Sequence, residues 1–271
     1  MEMIEVPSWD QVDAAALCRD ARLLAFDLDN TLAFSRKPMS PAMASRISQL
    51  TRLIPLAVIT GGRHDLVVKQ VLDMLDEQTN KQSLYLMPAT GTQLYLWVQG
   101  AWHCEYSYVL SAEERDAAVR SLMRHAQEDG LLEGPVWGER IEDRGSQITF
   151  SALGQLAPEE AKLGWDPTDL KKERLAEAVA RDLPRLAVHP GGLTSIDVSK
   201  QGIDKAYAVR KLSELLDIPV ANMVMVGDRM TPGGNDYPAA AAGALAVRVS
   251  NPEDTLALCD RLLAELRPTG Q

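Results

Sequence analysis

Two aspartates follow a short apolar run near the start of the chain. The run Leu23–Phe26 continues directly into Asp27, Leu28 and Asp29, and a hydroxyl group follows at Thr31. Two like charges at the end of a buried strand are costly unless a cation or a shared proton offsets them. Paired carboxylates can serve as nucleophile, general acid or metal ligand, whereas a helix cap or a turn is the ordinary structural alternative.

Other polar side chains also stand at the ends of apolar runs. Thr60 follows Leu56–Ile59, and Asp228 follows the run Met223–Val226, with Asp236 a little further on. Each segment alone is also typical of turn chemistry. Because ligands of open α/β sheets bind at the carboxyl ends of the strands, the repetition of this pattern predicts one shared site.

A lysine is predicted near the beginning of a helix late in the chain. The apolar spacing over Asp204–Leu216 predicts the helix, and Lys205 lies in its first turn. A cation is unfavourable beside the positive end of a helix dipole, so Lys205 is expected to have an anionic partner. The ordinary alternative is a solvated surface lysine.

Two kinds of strand pattern surround these residues. Continuous apolar runs, typical of buried parallel strands, lie towards both ends of the chain: Leu23–Phe26, Leu56–Ile59, Leu84–Met87, Met223–Val226 and Ala244–Val249. Alternating runs, typical of antiparallel strands, fill the middle: Gln93–Val98, Ala101–Ser107, Ser146–Leu153 and Leu193–Val198.

The middle of the chain also contains helical and turn patterns. Gln99 and Gly100 separate the first two alternating runs and predict a hairpin. Ser111 and Glu114 have the spacing of a capping box at the start of one amphipathic helix, and a second helix is predicted over 168–182.

These patterns predict an α/β fold with a Rossmann-like parallel-sheet core and an inserted α+β domain that contains an antiparallel sheet. The predicted core consists of residues 1–92 and 195–271, and the predicted insert of residues 93–194.

The composition excludes several classes of protein. The 271 residues include 28 Lys and Arg against 38 Asp and Glu, a net charge of −10, which disfavours binding to nucleic acids or anionic membranes. Cys18, Cys104 and Cys259 are widely separated, so neither a zinc site nor a disulfide framework is expected. The first ten residues lack the pattern of a signal peptide, and no apolar run has the length of a membrane span, so a cytoplasmic protein is expected.

The motifs, taken in order, resemble those of the haloacid dehalogenase-like phosphotransferases. That superfamily combines an Asp-x-Asp-x-Thr motif, a strand-end Ser or Thr, a lysine and a Gly-Asp motif followed by a further Asp. The resemblance is sharpest towards eukaryotic-type phosphomannomutases, a subgroup with a cap domain of the C2B type. It rests on IEDR at 141–144, GGLTSIDVSKQGIDKAYAV at 191–209, GDRMTPGGNDYP at 227–238 and NPEDTLALC at 251–259.

The resemblance implies a role for each acidic residue. Asp27 would be the nucleophile that becomes a phospho-aspartate, and Asp29 the general acid and base. Mg²⁺ would be held by the side chains of Asp27 and Asp228 and by the backbone carbonyl of Asp29, in the oxygen coordination that this ion prefers.

The remaining core residues would support this chemistry. Thr60 would donate a hydrogen bond to the transferring phosphoryl group, and Lys205 would neutralise part of its charge. Asp236 is expected to orient Lys205 or to organise the loop 229–236 rather than to bind the metal.

The resemblance also implies contacts with a phosphorylated sugar. The matching residues are Arg36, Arg144, Ser195 and Asp197. Two positions depart from the family pattern, because Gln155 and Lys162 stand where the family has arginines. Lysine keeps the charge but not the bidentate geometry, and glutamine keeps neither.

These departures favour a Mg²⁺-dependent phosphatase of a phosphorylated sugar, acting through a phospho-aspartate, since a mutase must hold a second phosphate at a distal site. The alternatives are a phosphomannomutase-like phosphohexomutase and a non-catalytic module that binds sugar phosphates. The expected partner is a small phosphate ester, and both a monomer and a homodimer are compatible with the sequence.

Overall fold

The computed structural model describes residues 4–267. Its strands are β1 (Leu23–Phe26), β2 (Leu56–Ile59), β3 (Leu84–Met87), β4 (Gln93–Val98), β5 (Ala101–Ser107), β6 (Ile141–Asp143), β7 (Gln147–Ser151), β8 (Leu186–Pro190), β9 (Ser195–Lys200), β10 (Met223–Gly227) and β11 (Leu245–Arg248).

The helices alternate with the strands in the first and last parts of the chain. They are α1 (Ala14–Asp20), α2 (Pro41–Leu50), α3 (His64–Gln70), α4 (Pro88–Gly91), α5 (Ala112–Glu128), α6 (Glu159–Trp165), α7 (Leu170–Asp182), α8 (Lys205–Leu216), α9 (Tyr237–Ala241) and α10 (Pro252–Leu266). Within residues 4–267, no helix is both long and apolar enough to cross a membrane.

The chain divides into two compact units, a core of Met1–Ser107 with Asp204–Gln271 and an inserted unit of Tyr108–Ile203. The core contains a seven-stranded sheet in the order β11-β10-β1-β2-β3-β4-β5. Its first five strands are parallel, and β4 and β5 are antiparallel.

Both faces of the parallel strands in the core sheet are buried by helices. In β1, Leu24 and Phe26 point into an apolar cluster with α2 and α10, whereas Leu23 and Ala25 point into a second cluster with α8 and α9. Burial on both faces explains why these strands are continuous apolar runs in the sequence.

The inserted unit has a four-stranded antiparallel sheet in the order β6-β7-β9-β8. Ile148 and Phe150 of β7 and Val198 of β9 lie on one face, and they pack against Leu122 of α5 and Leu175 of α7. The opposite face carries the alternating polar side chains. The predicted fold class, a parallel-sheet α/β core with an antiparallel α+β insert, is therefore confirmed.

The predicted boundaries of the insert need correction. The hairpin Gln93–Ser107 belongs to the core, because β4 pairs with β3 through Tyr95 and Leu86 and so extends the parallel sheet at its edge. Residues 195–203, predicted as core, belong to the inserted unit, because β9 lies between β7 and β8. The alternating pattern was recognised in both places, but it does not reveal which strand is the neighbour.

The predicted capping box at the start of α5 is present. The Ser111 hydroxyl accepts the Glu114 N–H at 3.1 Å, and the Glu114 carboxylate accepts the Ser111 N–H at 2.7 Å. Ser111→Ala is therefore expected to lower the free energy of unfolding of the inserted unit by about 1 kcal/mol. Urea denaturation followed by circular dichroism measures this change. Ser111→Asp keeps a capping oxygen and is the control; equal losses in both variants would contradict a capping role.

Candidate active site

The central site lies where the chain order of the core sheet reverses. From β1 the chain continues to β2 and β3 on one side, whereas β10 and β11 lie on the other side. Such switch points leave a crevice at the carboxyl ends of the strands, where α/β proteins bind ligands. Asp27 directly follows β1, and Asp228 directly follows its neighbour β10.

Lys205 connects the two acidic motifs. It is the first residue of α8 and is only 1% exposed, and its Nζ donates to Oδ1 of both Asp27 and Asp236. These carboxylates are the anionic partners that a buried lysine at a helix amino end requires. The site therefore combines one buried cation with several carboxylates.

Asp236 reaches this position because Gly227 has no side chain. A Cβ on Gly227 would lie 2.3 Å from Oδ2 of Asp236, which is far closer than real contacts allow. The same Oδ2 accepts the Arg229 N–H at 2.9 Å, so Asp236 also fixes the loop after β10. Both carboxylate oxygens of Asp236 are thus occupied, by Lys205 and by Arg229.

Burial and neighbouring carboxylates raise the pKa values of two acidic residues in this site. Burial, together with the charges of Asp236 and Asp228, raises the pKa of Asp27 well above its usual range even though Lys205 opposes the shift. Burial and Asp236 raise the pKa of Asp228 to about 6. Burial alone would lower the pKa of Lys205, but Asp236 and Asp27 outweigh burial and raise it. The lysine stays charged, and the cluster carries an excess of negative charge.

This cluster suits a hard divalent cation. One oxygen from each of Asp27, Asp228 and Asp236 can be chosen so that all three lie within 4.8 Å of one another. Because Asp236 is committed to Lys205 and Arg229, Asp27 and Asp228 are the better placed ligands. The donors are all oxygen atoms, which Mg²⁺ prefers over the nitrogen and sulfur ligands typical of zinc.

Asp29 and Arg36 are joined through the loop after β1. Oδ1 of Asp29 accepts the Arg36 N–H at 2.8 Å, and Arg36 has a left-handed backbone with φ of 59°. Oδ1 of Asp29 also lies 3.4 Å from the side-chain nitrogen of Gln70. No local pattern in the sequence connects α3 with Asp29, so Gln70 is not apparent as a site residue from the sequence alone.

Thr60 directly follows β2 and is held by an unusual turn. Its Oγ1 accepts the Gly62 N–H at 3.0 Å, and its carbonyl accepts the Thr90 N–H at 2.8 Å. Ala89 and Thr90, within α4, both have left-handed backbones, which is costly for residues other than glycine. In the sequence, the Thr90-Gly91 pair after an apolar strand is the local signal for this turn, and it is too common to predict the left-handed residues.

The inserted unit carries a row of polar residues on the sheet face opposite its helices, where Thr149 is buried. Glu142, Thr149, Asp197 and His189 are aligned across the four strands. The Thr149 hydroxyl donates to Oδ1 of Asp197 at 2.6 Å. Sequence reasoning assigned no role to His189, because its neighbours are apparent only from the strand register.

Ser195 and Asp197 converge beside Gly191. A Cβ on Gly191 would lie 2.7 Å from Oγ of Ser195 and 2.8 Å from Oδ2 of Asp197. The Ser195 hydroxyl also accepts the Gly192 N–H at 2.7 Å. Two of the predicted sugar contacts are therefore neighbours.

The other predicted substrate residues of the inserted unit are distributed around its sheet. Arg144 donates to Oε2 of Glu142 through two guanidinium nitrogens, at 2.8 and 3.1 Å. Gln155 follows β7, where its N–H donates to the Glu139 carbonyl, and Lys162 lies in α6.

Solved structures share this fold. The C-terminal domain of trehalose-6-phosphate phosphatase from Candida albicans aligns with a TM-score of 0.68, covering 96% of this chain and 99% of that domain at 14% identity. The IMP-nucleotidase of Plasmodium falciparum, with IMP bound, aligns with a TM-score of 0.67, covering 93% of this chain and 71% of that chain at 18% identity. The fold and the acidic strand-end motifs define a protein of the haloacid dehalogenase-like class.

Sequence relatives narrow the class. Phosphomannomutases from Spinacia oleracea and Encephalitozoon cuniculi are 25% and 27% identical over 90% and 92% of this chain, and 96% and 97% of those proteins are covered. Human phosphomannomutase 1 is 26% identical over 92% of this chain and 95% of its own length. The pattern that defines the eukaryotic phosphomannomutase family matches residues 43–265. The chain belongs to that family.

Proposed function

We propose that this protein is a Mg²⁺-dependent phosphohexomutase that acts through a phospho-aspartate at Asp27. The observation that carries the proposal is the buried cluster of Asp27, Lys205 and Asp236 beside Asp228, at the switch point of a phosphomannomutase-family fold. The sequence alone favoured a phosphatase over a mutase. Membership of the family gives the mutase the stronger support.

For the mutase, the first chemical step would be attack by Asp27 on one phosphorus of a hexose 1,6-bisphosphate, which keeps its other phosphate; for the phosphatase, the attacked substrate would be a hexose monophosphate. A bond forms between the Asp27 carboxylate oxygen and phosphorus, and the ester P–O bond breaks towards the sugar oxygen. Asp29 would donate the proton that this oxygen requires, because an alkoxide is a poor leaving group at neutral pH.

The second step would return the phosphoryl group to a sugar hydroxyl. Asp29, now deprotonated, would accept the proton of that hydroxyl as its oxygen attacks the phospho-aspartate, so the proton balance closes. Attack by water instead would release inorganic phosphate. The same nucleophile thus supports mutase and phosphatase chemistry, and the acceptor decides between them.

The surrounding residues would stabilise the charge on the phosphoryl group. Mg²⁺, held by Asp27, Asp228 and the carbonyl of Asp29, would supply positive charge against the repulsion between carboxylate and phosphate. Lys205 would add a fixed positive charge in a buried site, where it acts more strongly than in water. The hydroxyl of Thr60 would donate to a phosphoryl oxygen, since its Oγ1 already accepts the Gly62 N–H.

Five further residues are proposed to contact the sugar phosphate. They are Arg144, Lys162, Ser195 and Asp197 of the inserted unit and Arg36 of the core. Ser195 and Asp197 are suited to sugar hydroxyls, because their oxygens converge beside Gly191. The implied ligand is a phosphorylated hexose.

Gln155 supports a phosphatase as the second candidate. It stands where the family pattern has an arginine, and loss of one charged hydrogen bond weakens a distal phosphate site by about 1.5–3 kcal/mol. A phosphatase needs only one substrate orientation and no distal phosphate.

One assay separates these functions. The protein would be incubated with Mg²⁺ and a panel of hexose 1- and 6-phosphates, with and without a hexose 1,6-bisphosphate, while free phosphate and isomer exchange are both measured. Bisphosphate-dependent exchange that outruns phosphate release supports the mutase, and the reverse supports the phosphatase. Binding without turnover would leave a non-catalytic module. EDTA is expected to abolish either activity, and Mg²⁺ to restore it.

Gln155→Arg is expected to shift the balance towards the mutase. A restored charged hydrogen bond would lower the half-saturating concentration of hexose 1,6-bisphosphate by about tenfold or more, equivalent to at least about 1.4 kcal/mol. The measurement is the rate of isomer exchange as a function of bisphosphate concentration. Gln155→Leu, which adds no charge, is the matched control; equal effects of the two variants would contradict a distal phosphate contact at this position.

A further inference from the structure

Gln70 is a buried polar residue next to the acidic loop of the core. It is the last residue of α3 and is only 2% exposed. Its side-chain nitrogen donates to the Lys37 carbonyl at 3.0 Å and lies 3.4 Å from Oδ1 of Asp29. Its own carbonyl accepts the Met39 N–H at 2.9 Å. A single residue therefore holds both ends of the segment from Lys37 to Met39 and also reaches the Asp29 carboxylate.

The loop that Gln70 holds has an unfavourable backbone. Asn30 and Arg36 both adopt left-handed conformations, with φ of 59° in each. Inside the loop, the Asn30 N–H donates to the Ala33 carbonyl at 2.7 Å, and the Arg36 N–H donates to Asp29. Strained residues keep such conformations only when surrounding contacts impose them. Gln70 supplies contacts from a separate helix.

The direction of these bonds matters for Asp29. Its Oδ1 is the acceptor for both the Arg36 N–H and the Gln70 amide, so two donors from different segments fix one carboxylate oxygen. Fixing Oδ1 also fixes the direction of Oδ2, which accepts a hydrogen bond from neither of these two donors. A general acid must lie within about 2.6–3.2 Å of the atom that it protonates.

We infer that Gln70 is a positioning residue for the general acid, holding Asp29 and the segment that follows it in the geometry needed for proton transfer to the leaving oxygen. The inference rests on the proposed function, since it assigns Gln70 to the step in which Asp29 acts. Gln70 would act through Asp29 and touch no substrate. A misplacement of about 1 Å can lower a rate by about 100-fold, so even the long contact at 3.4 Å can matter.

The test compares two leaving groups. Departure of a hexose oxygen needs a proton from Asp29, whereas p-nitrophenolate leaves without one. In Gln70→Leu, which removes the amide but keeps a similar volume, kcat for a hexose phosphate is expected to fall by about 10- to 100-fold. With p-nitrophenyl phosphate, the rate of the pre-steady-state burst of p-nitrophenolate, which reports formation of the phospho-aspartate before Asp29 acts as a base, is expected to change by less than about threefold, because attack by Asp27 is unaffected.

Two further variants address folding and specificity. Gln70→Glu keeps the shape but replaces the donor by an acceptor beside Asp29, and the same selective loss is expected. Asp29→Asn removes the general acid itself, so it shows the largest selective loss with the hexose phosphate that displacement of Asp29 could cause. Gln49→Leu is the matched control, since the Gln49 amide likewise donates to a backbone carbonyl, that of Ser45 at 3.2 Å, within the core. Thermal unfolding of each variant shows whether it is folded.

The outcomes are distinct. Selective loss with the hexose phosphate in both Gln70 variants, at unchanged folding, supports the inference. An equal fall with both substrates, or no fall in either, would overturn it while leaving the proposed function standing. If the wild-type protein formed no phospho-aspartate and turned over neither substrate, the proposed function would fail, and this inference would fail with it.

Discussion

Asp27→Asn is expected to lower turnover of a hexose phosphate by at least about 10⁴-fold, the scale on which loss of a covalent nucleophile acts. The asparagine amide cannot form the acyl phosphate, and it also replaces a proposed ligand of Mg²⁺. The labelled phosphoenzyme seen on incubating the wild-type protein with ³²P-labelled substrate should be absent.

The Asp27→Asn protein is expected to remain folded. Lys205 keeps its ion pair with Asp236, and a neutral amide avoids the cost of a buried charge, which is apparent from the raised pKa of Asp27. Asp260→Asn is the control, because Asp260 is an exposed aspartate paired with Arg46. Turnover by Asp27→Asn within 100-fold of the wild-type rate would refute the assignment of the nucleophile.

Lys205→Met is expected to have the largest effect on stability. Removing this cation leaves Asp27 and Asp236 buried without their partner, and breaking a buried ion pair costs about 3–5 kcal/mol. The free energy of unfolding, measured by urea denaturation at pH 7, should fall by that amount. Turnover should also be lost, because the positive charge beside the phosphoryl group is gone.

Two comparisons separate charge from packing at this position. Lys211→Met removes a lysine from the same helix, but Lys211 is partly exposed and paired with Glu214, so a change within about 0.5 kcal/mol is expected. The double variant Lys205→Met with Asp236→Asn removes one unpaired charge and should recover part of the lost stability without recovering activity. Equal losses of unfolding free energy in Lys205→Met and Lys211→Met would show that the buried ion pairs of Lys205 do not stabilise the fold.

The strands that precede Asp27 and Thr60 could be predicted because their signals are local. Leu23–Phe26 and Leu56–Ile59 match β1 and β2 residue for residue, since burial on both faces demands continuous apolar side chains. Ser111 and Glu114 likewise form their capping box within one helical turn. In each case, the residues that determine the structure are adjacent in the sequence.

Other elements could not be predicted from local patterns. Strand β6 (Ile141–Asp143) has only three residues, two of them acidic, and β8 (Leu186–Pro190) has a brief apolar run that ends in His189 and Pro190. Strands β4 and β5 were recognised as a hairpin but assigned to the insert, because the alternation that reveals a strand does not identify its neighbour.

The sequence by itself determined which chemical groups this protein possesses and that they stand at strand ends: Asp27 and Asp29 after one apolar run, and Asp228 after another. Only the tertiary structure decided which groups meet. Lys205 pairs with Asp27 across 178 residues of sequence, and Gln70 reaches Asp29 across 41. The physical reason is that parallel strands bring distant segments to one edge of a sheet, where burial forces a charged or polar side chain to find a partner.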